Sequence, residues 1–128
     1  MRLLFETFEN GNVSGPEGQQ AISSISWNEH QSFKGVFLKH LIKGNETGGL
    51  LSCHLVKVNP GCTIDSHVHT GKLEVHEVIG GSGSCIIGGK VVAYQPGSVA
   101  LIPADVNHRV EAGDDGIYIL AKFSPALL

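Results

Sequence analysis

The amino-acid sequence predicts an all-β fold, either a β-barrel or a two-sheet jelly roll, and three observations carry that prediction. Eight or more short segments rich in aliphatic and β-branched residues follow one another along the chain. Gly, with 17 residues, recurs between these segments together with Pro, Asn and Asp, as turns with a positive φ require. No interior segment has a convincing helical periodicity. Many short strands without interior helices are typical of barrels and jelly rolls.

The N-terminal part of the chain is the least regular in this prediction. Residues 1–10 carry several clustered apolar side chains, which fit either a short amphipathic helix or an edge strand, and the periodicity leaves both open. Residues 10–20 are rich in Gly, Asn, Ser and Pro, so we expect a loop or a mobile lid there. We therefore treat residues 1–34 as an N-terminal extension and loop and residues 35–123 as the barrel. The whole chain, residues 1–128, has the size of a single domain.

The remaining segments predict the strands one after another. Aliphatic and β-branched residues bounded by Gly, Asn and Pro indicate strands in residues 35–42 and 48–58, joined by a polar turn. Both faces of the second segment are mostly apolar, as expected in a sheet that closes on itself or packs against another. Further strands are predicted at 74–79, 84–87, 90–94, 98–102, 108–111 and 117–123, with a bend at 80–83 and turns at 88–89 and 112–116.

The charge of the chain argues against some classes of partner. The formal net charge is -3, and the nine Lys and Arg residues are spread along the sequence without clustering. This distribution does not suit a surface for nucleic acid or for an anionic membrane. No apolar stretch approaches the roughly 20 residues of a membrane-spanning helix. We therefore expect a small-molecule substrate or ligand, or a second copy of the chain, as partner, with no nucleic acid and no membrane.

The cysteines indicate a cellular compartment. Cys53, Cys62 and Cys85 are odd in number and lack a CxxC spacing, so they suggest neither a disulfide framework nor a zinc ribbon. The apolar run near the N-terminus is too short for a secretory signal. The expected location is therefore cytoplasmic, where thiols stay reduced.

A cluster of histidines interrupts the predicted strands near the middle of the chain. His67 and His69 lie two residues apart, so in an extended strand they point to the same face, about 6.6 Å apart along the chain. Glu74 follows a turn and, on a neighbouring strand about 4.8 Å away, comes within reach of the same ion. His108 has to arrive from a third strand far downstream. These residue types predict a metal site.

The predicted ligands restrict the choice of ion. Three neutral imidazoles and one carboxylate form a nitrogen and oxygen site of intermediate softness. Such a site suits one divalent transition metal ion (Mn, Fe, Ni, Co or Zn) and disfavours Ca and Mg. With four protein ligands on an ion that prefers about six, one or two positions remain for water or a chelating substrate. Open positions of this kind are what catalysis requires.

The segment that contains the first three candidate ligands resembles the first motif of the cupin superfamily, G(X)5HXH(X)3-4E(X)6G. Every fixed position of that motif is filled, by Gly61, His67, His69, Glu74 and Gly81. The resemblance covers roughly residues 50–123 and implies a small β-barrel whose mouth holds a divalent metal. It implies little about the reaction, because cupins include dioxygenases, isomerases, lyases, and sugar-sensing or storage proteins.

The second cupin motif, G(X)5PXG(X)2H(X)3N, is matched in part. Its positions are occupied by Gly97, Pro103 and His108, whereas Asp105 replaces the inner Gly and Ala112 replaces the final Asn. Asp is among the few residues that tolerate the left-handed conformation of a Gly, so we expect Asp105 to keep the turn that aims His108. The resemblance thus implies four metal ligands, His67, His69, Glu74 and His108.

One more histidine falls on the strand that carries Glu74. By strand alternation His76 points into the barrel, where it is a candidate catalytic acid or base, a substrate contact or an alternative ligand. The other interpretation of His76 is a core histidine hydrogen-bonded to a neighbour. We interpret His30, His40 and His54 as structural, since a lone histidine more often has that role.

The predicted function follows from the open coordination positions. We expect a metal-dependent enzyme acting on a polar small molecule that chelates the ion, such as a sugar acid, keto-enol or diol, in an isomerase, lyase or dioxygenase reaction. In that hypothesis the metal polarises the substrate oxygens while His76 or a metal-bound hydroxide moves the proton. The alternative is a non-catalytic cupin that binds or senses a sugar or another metabolite. Since cupins commonly form dimers through N-terminal strands and the outer sheet, the apolar residues 1–5 also predict a homodimer.

Overall fold

Short strands dominate the computed structural model, which describes residues 3–128. Eight strands form one antiparallel sheet, and two more form a separate hairpin near the N-terminus. A short α-helix and two 3₁₀ turns are the helical segments of the described chain. None of them is long and apolar enough to cross a membrane. The elements in chain order are α1 (Leu4–Glu9), β1 (Asn12–Gly15), β2 (Gly18–Ala21), a first 3₁₀ turn (Ile22–Ser24), β3 (Asn28–Glu29), β4 (Val36–Ile42), a second 3₁₀ turn (Gly44–Glu46), β5 (Ser52–Val58), β6 (Thr63–His67), β7 (Leu73–Ile87), β8 (Lys90–Tyr94), β9 (Val99–Ile102) and β10 (His108–Ser124).

Two long strands bend and take part in both layers of the barrel. The first part of β7 lies between β9 and the last part of β10. The second part of β7 lies between β8 and the first part of β10. One layer therefore has the order β3-β4-β5-β10-β7-β9, and the other has the order β6-β10-β7-β8. This arrangement confirms the prediction of an all-β jelly roll.

A glycine permits the bends of β7 and β10 to approach each other. Gly81 has a φ of +69°, and a Cβ at this position would collide with the carbonyl oxygen of Gly116. The ladder between the two strands is interrupted at the same level. The predicted bend at residues 80–83 is thus confirmed, whereas residues 112–116 form a bend within the continuous strand β10 and not a turn between two strands.

Apolar side chains fill both the interior of the barrel and a layer outside it. Because side chains alternate along a strand, Val56 points into the barrel whereas Leu55 points outward. The outer layer is covered by α1 and the first 3₁₀ turn, which contribute Phe5 and Ile22. Phe5 stacks on Tyr118 with 3.8 Å between the ring centroids. The N-terminal extension therefore completes a second core.

The structure decides two questions about the N-terminal part of the chain. The alternatives for residues 1–10 resolve to the helix α1, while Met1 and Arg2 lie outside the described residues. The prediction of a loop or mobile lid at residues 10–20 is wrong, because residues 12–21 form the hairpin of β1 and β2. Backbone N–H and C=O groups carry this pairing, so the polar composition of the segment gave no strand signal.

Candidate metal centre

Three histidines meet at one end of the barrel. His67 ends β6 and His108 begins β10, and these two residues are paired across the ladder. His69 lies in the short connection between β6 and β7. The ligand nitrogens of the three histidines all lie within 4.8 Å of one another. His67 Nε2 is 3.0 Å from His69 Nε2, so the HxH spacing brings both rings to one point although His69 lies beyond the strand.

Glu74 reaches the same point from the other layer of the barrel. It lies at the start of β7, where its neighbours are β9 and the end of β10. Its Oε1 is 3.1 Å from His108 Nε2 and 3.7 Å from His69 Nε2. The prediction that Glu74 sits on the strand next to that of His67 is wrong, because β6 pairs with β10. The carboxylate approaches the histidines across the barrel interior.

The distances between these donor atoms suit a bound cation. An ion with ligand bonds of about 2.1 Å separates neighbouring donors by about 3.0 Å at a right angle and by about 3.6 Å at 120°. Three of the separations among the four donors, at 3.0, 3.1 and 3.7 Å, fall close to this range. Glu74 Oε1 is also buried without a hydrogen-bond partner in the part of the chain that the structure describes, since its contact with His108 lacks hydrogen-bond geometry. A cation among the four side chains would satisfy this oxygen.

Hydrogen bonds on the far side of two rings fix which nitrogen faces the cluster. His67 Nδ1 lies 2.6 Å from the carbonyl oxygen of Asp65, and His108 Nδ1 lies 3.1 Å from that of Val106. A carbonyl oxygen only accepts, so Nδ1 carries the proton in each neutral ring. Each Nε2 therefore keeps its lone pair and directs it at the cluster, as a metal ligand does.

Burial and neighbouring charges set the protonation states of the cluster. Burial lowers the pKa of His67, and it lowers the pKa of His69 to about 4. Burial by itself would raise the pKa of Glu74, but His76 and His108 hold that pKa well below its usual range. For His108 burial acts to lower the pKa, yet the adjacent Glu74 carboxylate raises it. The cluster thus offers an ionised carboxylate and the neutral imidazoles of His67 and His69, and a bound cation would replace a proton on His108.

His76 lies behind the carboxylate. Its Nε2 is 2.8 Å from Glu74 Oε2, and its Nδ1 is 2.8 Å from the hydroxyl of Tyr94. Burial raises the pKa of Tyr94, so the phenol stays protonated. Both ring nitrogens of His76 are therefore occupied, while Oε1 of Glu74 faces the other histidines. The structure places His76 beside the cluster, and its catalytic role remains a prediction.

A chamber of about 110 Å³ opens beside the cluster and is walled mainly by apolar side chains. Besides His69, two of the lining residues lie outside the strands, His30 in the segment after β3 and Leu127 in the C-terminal tail. The backbone N–H of Leu127 donates to Ser52 Oγ at 2.8 Å, which holds the tail across the barrel. The chamber is lined by His30, Val36, Leu38, Val56, Ile64, His67, His69, Glu74, His76, Ile119, Ala121, Phe123 and Leu127.

Sequence reasoning missed His30 and Leu127 as chamber residues. His30 is a single histidine in an irregular segment, and Leu127 is an apolar residue in a tail. Neither local sequence indicates that the residue will line the chamber. A larger groove of about 530 Å³ lies on the outer side, near Trp27 and Lys39, and none of the predicted site residues lines it. The chemistry of the chain is therefore concentrated in the smaller chamber.

Two other histidines form a separate group, in which His54 is buried and His40 is partly buried. His40 Nδ1 lies 2.9 Å from His54 Nδ1, and His54 Nε2 lies 2.8 Å from Ser52 Oγ. Both rings point into the barrel from β4 and β5, apart from the three clustered histidines. This placement agrees with the structural role predicted for both residues.

Comparison with known proteins gives a family and a set of similar folds. Residues 54–120, just over half of the chain, match the family model described as "Cupin domain". A search of the curated proteins found no match. Among solved structures, a predicted oxalate decarboxylase from Thermotoga maritima is 24% identical with a TM-score of 0.74, covering 80% of this chain and 95% of that chain.

Two further solved structures have similar folds. KdgF from a Halomonas species is 20% identical with a TM-score of 0.69, covering 78% of this chain and 86% of that chain. Ectoine synthase from P. lautus is 18% identical with a TM-score of 0.65, covering 73% of this chain and 66% of that chain. At these identities the likeness shows the fold alone.

Proposed function

The chain belongs to the cupin family, and we propose that it is a metal-dependent enzyme acting on a small molecule that chelates the ion through adjacent oxygens. The observation that carries this proposal is the convergence of four donor atoms at one point beside a chamber. The proposed substrate is a sugar acid, a keto-enol or a diol, converted in an isomerase, lyase or dioxygenase reaction.

In this proposal one divalent transition metal ion (Mn, Fe, Ni, Co or Zn) is held by His67, His69, Glu74 and His108. Three imidazoles with a single carboxylate suit these ions, and cellular availability selects among them. When bound, the ion would polarise the oxygen atoms of a chelating substrate and so stabilise negative charge on them.

The chain's own residues supply orientation and a dry environment. The carbonyl oxygens that fix Nδ1 of His67 and His108 hold both rings with Nε2 toward the centre. His76 holds Glu74 Oε2, which leaves Oε1 for the ion. Proton transfer between His76 and a substrate requires one of its two hydrogen bonds to open.

The experiment that tests the proposal compares metal content and turnover in three proteins purified without an affinity tag or chelator. We expect close to one metal ion per chain in the unaltered protein and in the control variant His40→Ala, which changes a histidine outside the cluster. The double variant His67→Ala/His108→Ala should contain no metal and have no activity. Unchanged turnover in the double variant would contradict the proposal.

A non-catalytic cupin that binds or senses a metabolite is the second candidate. The small volume of the chamber and the tail that crosses it favour retention of a ligand over rapid exchange. This candidate is preferred if the protein holds its metal and converts no compound in a broad screen, while one metabolite raises its melting temperature.

We also infer that two copies of the chain associate. Phe5 packs inside its own chain, so within the apolar N-terminal stretch Leu3 (63% exposed) and Leu4 (48% exposed) are available for contact. On the outer face, β9 exposes Leu101, at 57%, beside a strand edge. Sedimentation at micromolar concentration should show a dimer, and a monomer would contradict the inference. A cytoplasmic location and a single domain over residues 1–128 remain predictions.

A further inference from the structure

The lining of the chamber distinguishes among chelating substrates, on the premise that the proposed metal centre is correct. Among the described residues that line it there is no Lys, Arg or Asp, and Glu74 is the single carboxylate. A substrate with several negative charges would find no cation there except the ion. With a divalent ion, one carboxylate and neutral imidazoles the centre carries a net charge of about +1. A chelator with one negative charge neutralises it.

Hydrogen-bond partners for a substrate are also few. His67, His69 and Glu74 each direct one donor atom at the cluster, and both ring nitrogens of His76 are occupied. Among the polar lining residues this leaves Nδ1 of His69 and the ring of His30. His30 Nδ1 accepts hydrogen bonds from the backbone N–H groups of Ser32, at 3.0 Å, and Phe33, at 3.3 Å. The proton of the neutral ring is therefore on Nε2, which makes His30 a hydrogen-bond donor.

The rest of the lining is apolar and leaves little space. The chamber of about 110 Å³ lies against side chains such as Ile119, Phe123 and Leu127. An apolar cavity of about 150 Å³ holds a benzene molecule, so this space accommodates a substituent of about four or five heavy atoms. A hydroxyl group placed among these side chains would lose its bonds to water without gaining a partner.

We propose that the chamber selects a chelator with one negative charge and a short aliphatic substituent, and discriminates against polyhydroxylated sugar acids. The chelating oxygens face the cluster of His67, His69, Glu74 and His108. The aliphatic substituent occupies the apolar part of the chamber, and His30 Nε2 donates to the outer oxygen of the chelating group. This inference names the substrate class for the proposed function.

The test uses two probes with the same chelating head. In 2-hydroxy-3-methylbutanoate the 2-hydroxycarboxylate carries an isopropyl group, whereas in 2,3,4-trihydroxybutanoate it carries a hydroxylated chain of similar size. Calorimetric titration of the metal-loaded protein should give at least about 30-fold tighter binding for the aliphatic acid, since the hydroxyl groups of the other acid stay unpaired. Equal binding, or a preference for the hydroxylated acid, would overturn the inference.

A variant of His30 tests the hydrogen-bond donor. In His30→Asn the amide oxygen can still accept from the N–H groups of Ser32 and Phe33, but the donor at the Nε2 position is lost. Binding of 2-hydroxy-3-methylbutanoate should weaken about 5-fold to 10-fold while the metal content stays unchanged. Unaltered affinity in this variant would remove His30 from the inference.

Metal analysis before each titration separates this inference from the proposed function. A protein that binds no metal contradicts both the proposed function and the substrate class. A protein that holds its metal but prefers the hydroxylated acid contradicts the substrate class alone.

Discussion

The carboxylate of Asp105 accepts a hydrogen bond from the backbone N–H of Gly71, with 2.9 Å between Oδ1 and N. Asp105 has a φ of +66°, and its own N–H donates to the carbonyl oxygen of His69 at 3.3 Å. The residue that replaces a Gly of the second cupin motif thus links the loop before His108 to the loop that carries His69. A Gly could not form the side-chain part of this link.

Two replacements of Asp105 separate the link from the backbone conformation. Asp105→Gly removes the side-chain hydrogen bond and keeps the positive φ, so the free energy of unfolding should fall by about 1 kcal/mol. Asp105→Ala removes the same bond and adds left-handed strain, which should lower it by about 2–3 kcal/mol in total. Denaturant unfolding of the metal-free proteins measures both values. Equal stability of the two variants would show that strain at this position is unimportant.

Replacement of His76 should affect the metal centre more than replacement of Tyr94. His76→Phe leaves Glu74 Oε2 buried without its partner, and loss of such a supporting group typically weakens metal affinity about 10-fold to 100-fold. Tyr94→Phe removes a hydroxyl that contacts His76 and not the carboxylate, so we expect a smaller loss. Competition with a chromophoric chelator measures both affinities. A larger effect of Tyr94→Phe would contradict this order.

The buried His54, which contacts the partly buried His40, makes stability depend on pH. His54 is 0% exposed, and burial first, with a contribution from His40, lowers its pKa to about 4, while Glu74 acts in the opposite direction. Protonation would place a charge on this buried ring, away from water, so protonation of His54 disfavours the folded state.

The sign of this dependence follows from the pKa of His54, which is 6.5 in the unfolded chain and about 4 in the folded chain. Well above pH 6.5 His54 is neutral in both the folded and the unfolded chain, and its full contribution to the free energy of unfolding is present. Between pH 6.5 and 4 the unfolded chain binds a proton that the folded chain does not, so the free energy of unfolding falls as the pH falls. From pH 7 to 5 the loss should be about 2 kcal/mol. In His54→Gln the profile over this range should be flatter, and an identical slope would contradict the assignment to His54.

Two glycines with a positive φ offer a matched test of the contact between β7 and β10. Gly81→Ala adds a methyl group against the carbonyl oxygen of Gly116, whereas Gly89→Ala adds one where no atom lies within 4 Å. Both replacements carry left-handed strain, since φ is +69° at Gly81 and +84° at Gly89. We expect Gly81→Ala to lower the free energy of unfolding by about 2 kcal/mol or more beyond the loss in Gly89→Ala. Similar losses of free energy in the two variants would show that the bends of β7 and β10 can move apart with little loss of stability.

Much of the fold was predictable because its signals are local. Apolar segments divided by turn residues identify most of the strands, since each turn needs its Gly, Pro, Asn or Asp at that place in the chain. The left-handed conformation of Asp105 was predictable from the resemblance to the second cupin motif, because Asp stands there at the position of a Gly and tolerates a positive φ. The polar hairpin at residues 12–21 was not, because its pairing depends on backbone groups that every residue carries.

The sequence by itself determined which side chains are candidates for the metal centre. His67, His69, Glu74 and His108 have the spacing that the two cupin motifs require. The tertiary structure decided how they meet. Glu74 reaches the histidines across the barrel, and His76 finds Tyr94 from another strand. His30 and Leu127 join the chamber from opposite ends of the chain. These contacts depend on which strands pair when the sheet closes, and that pairing is a property of the whole chain, not of any one segment.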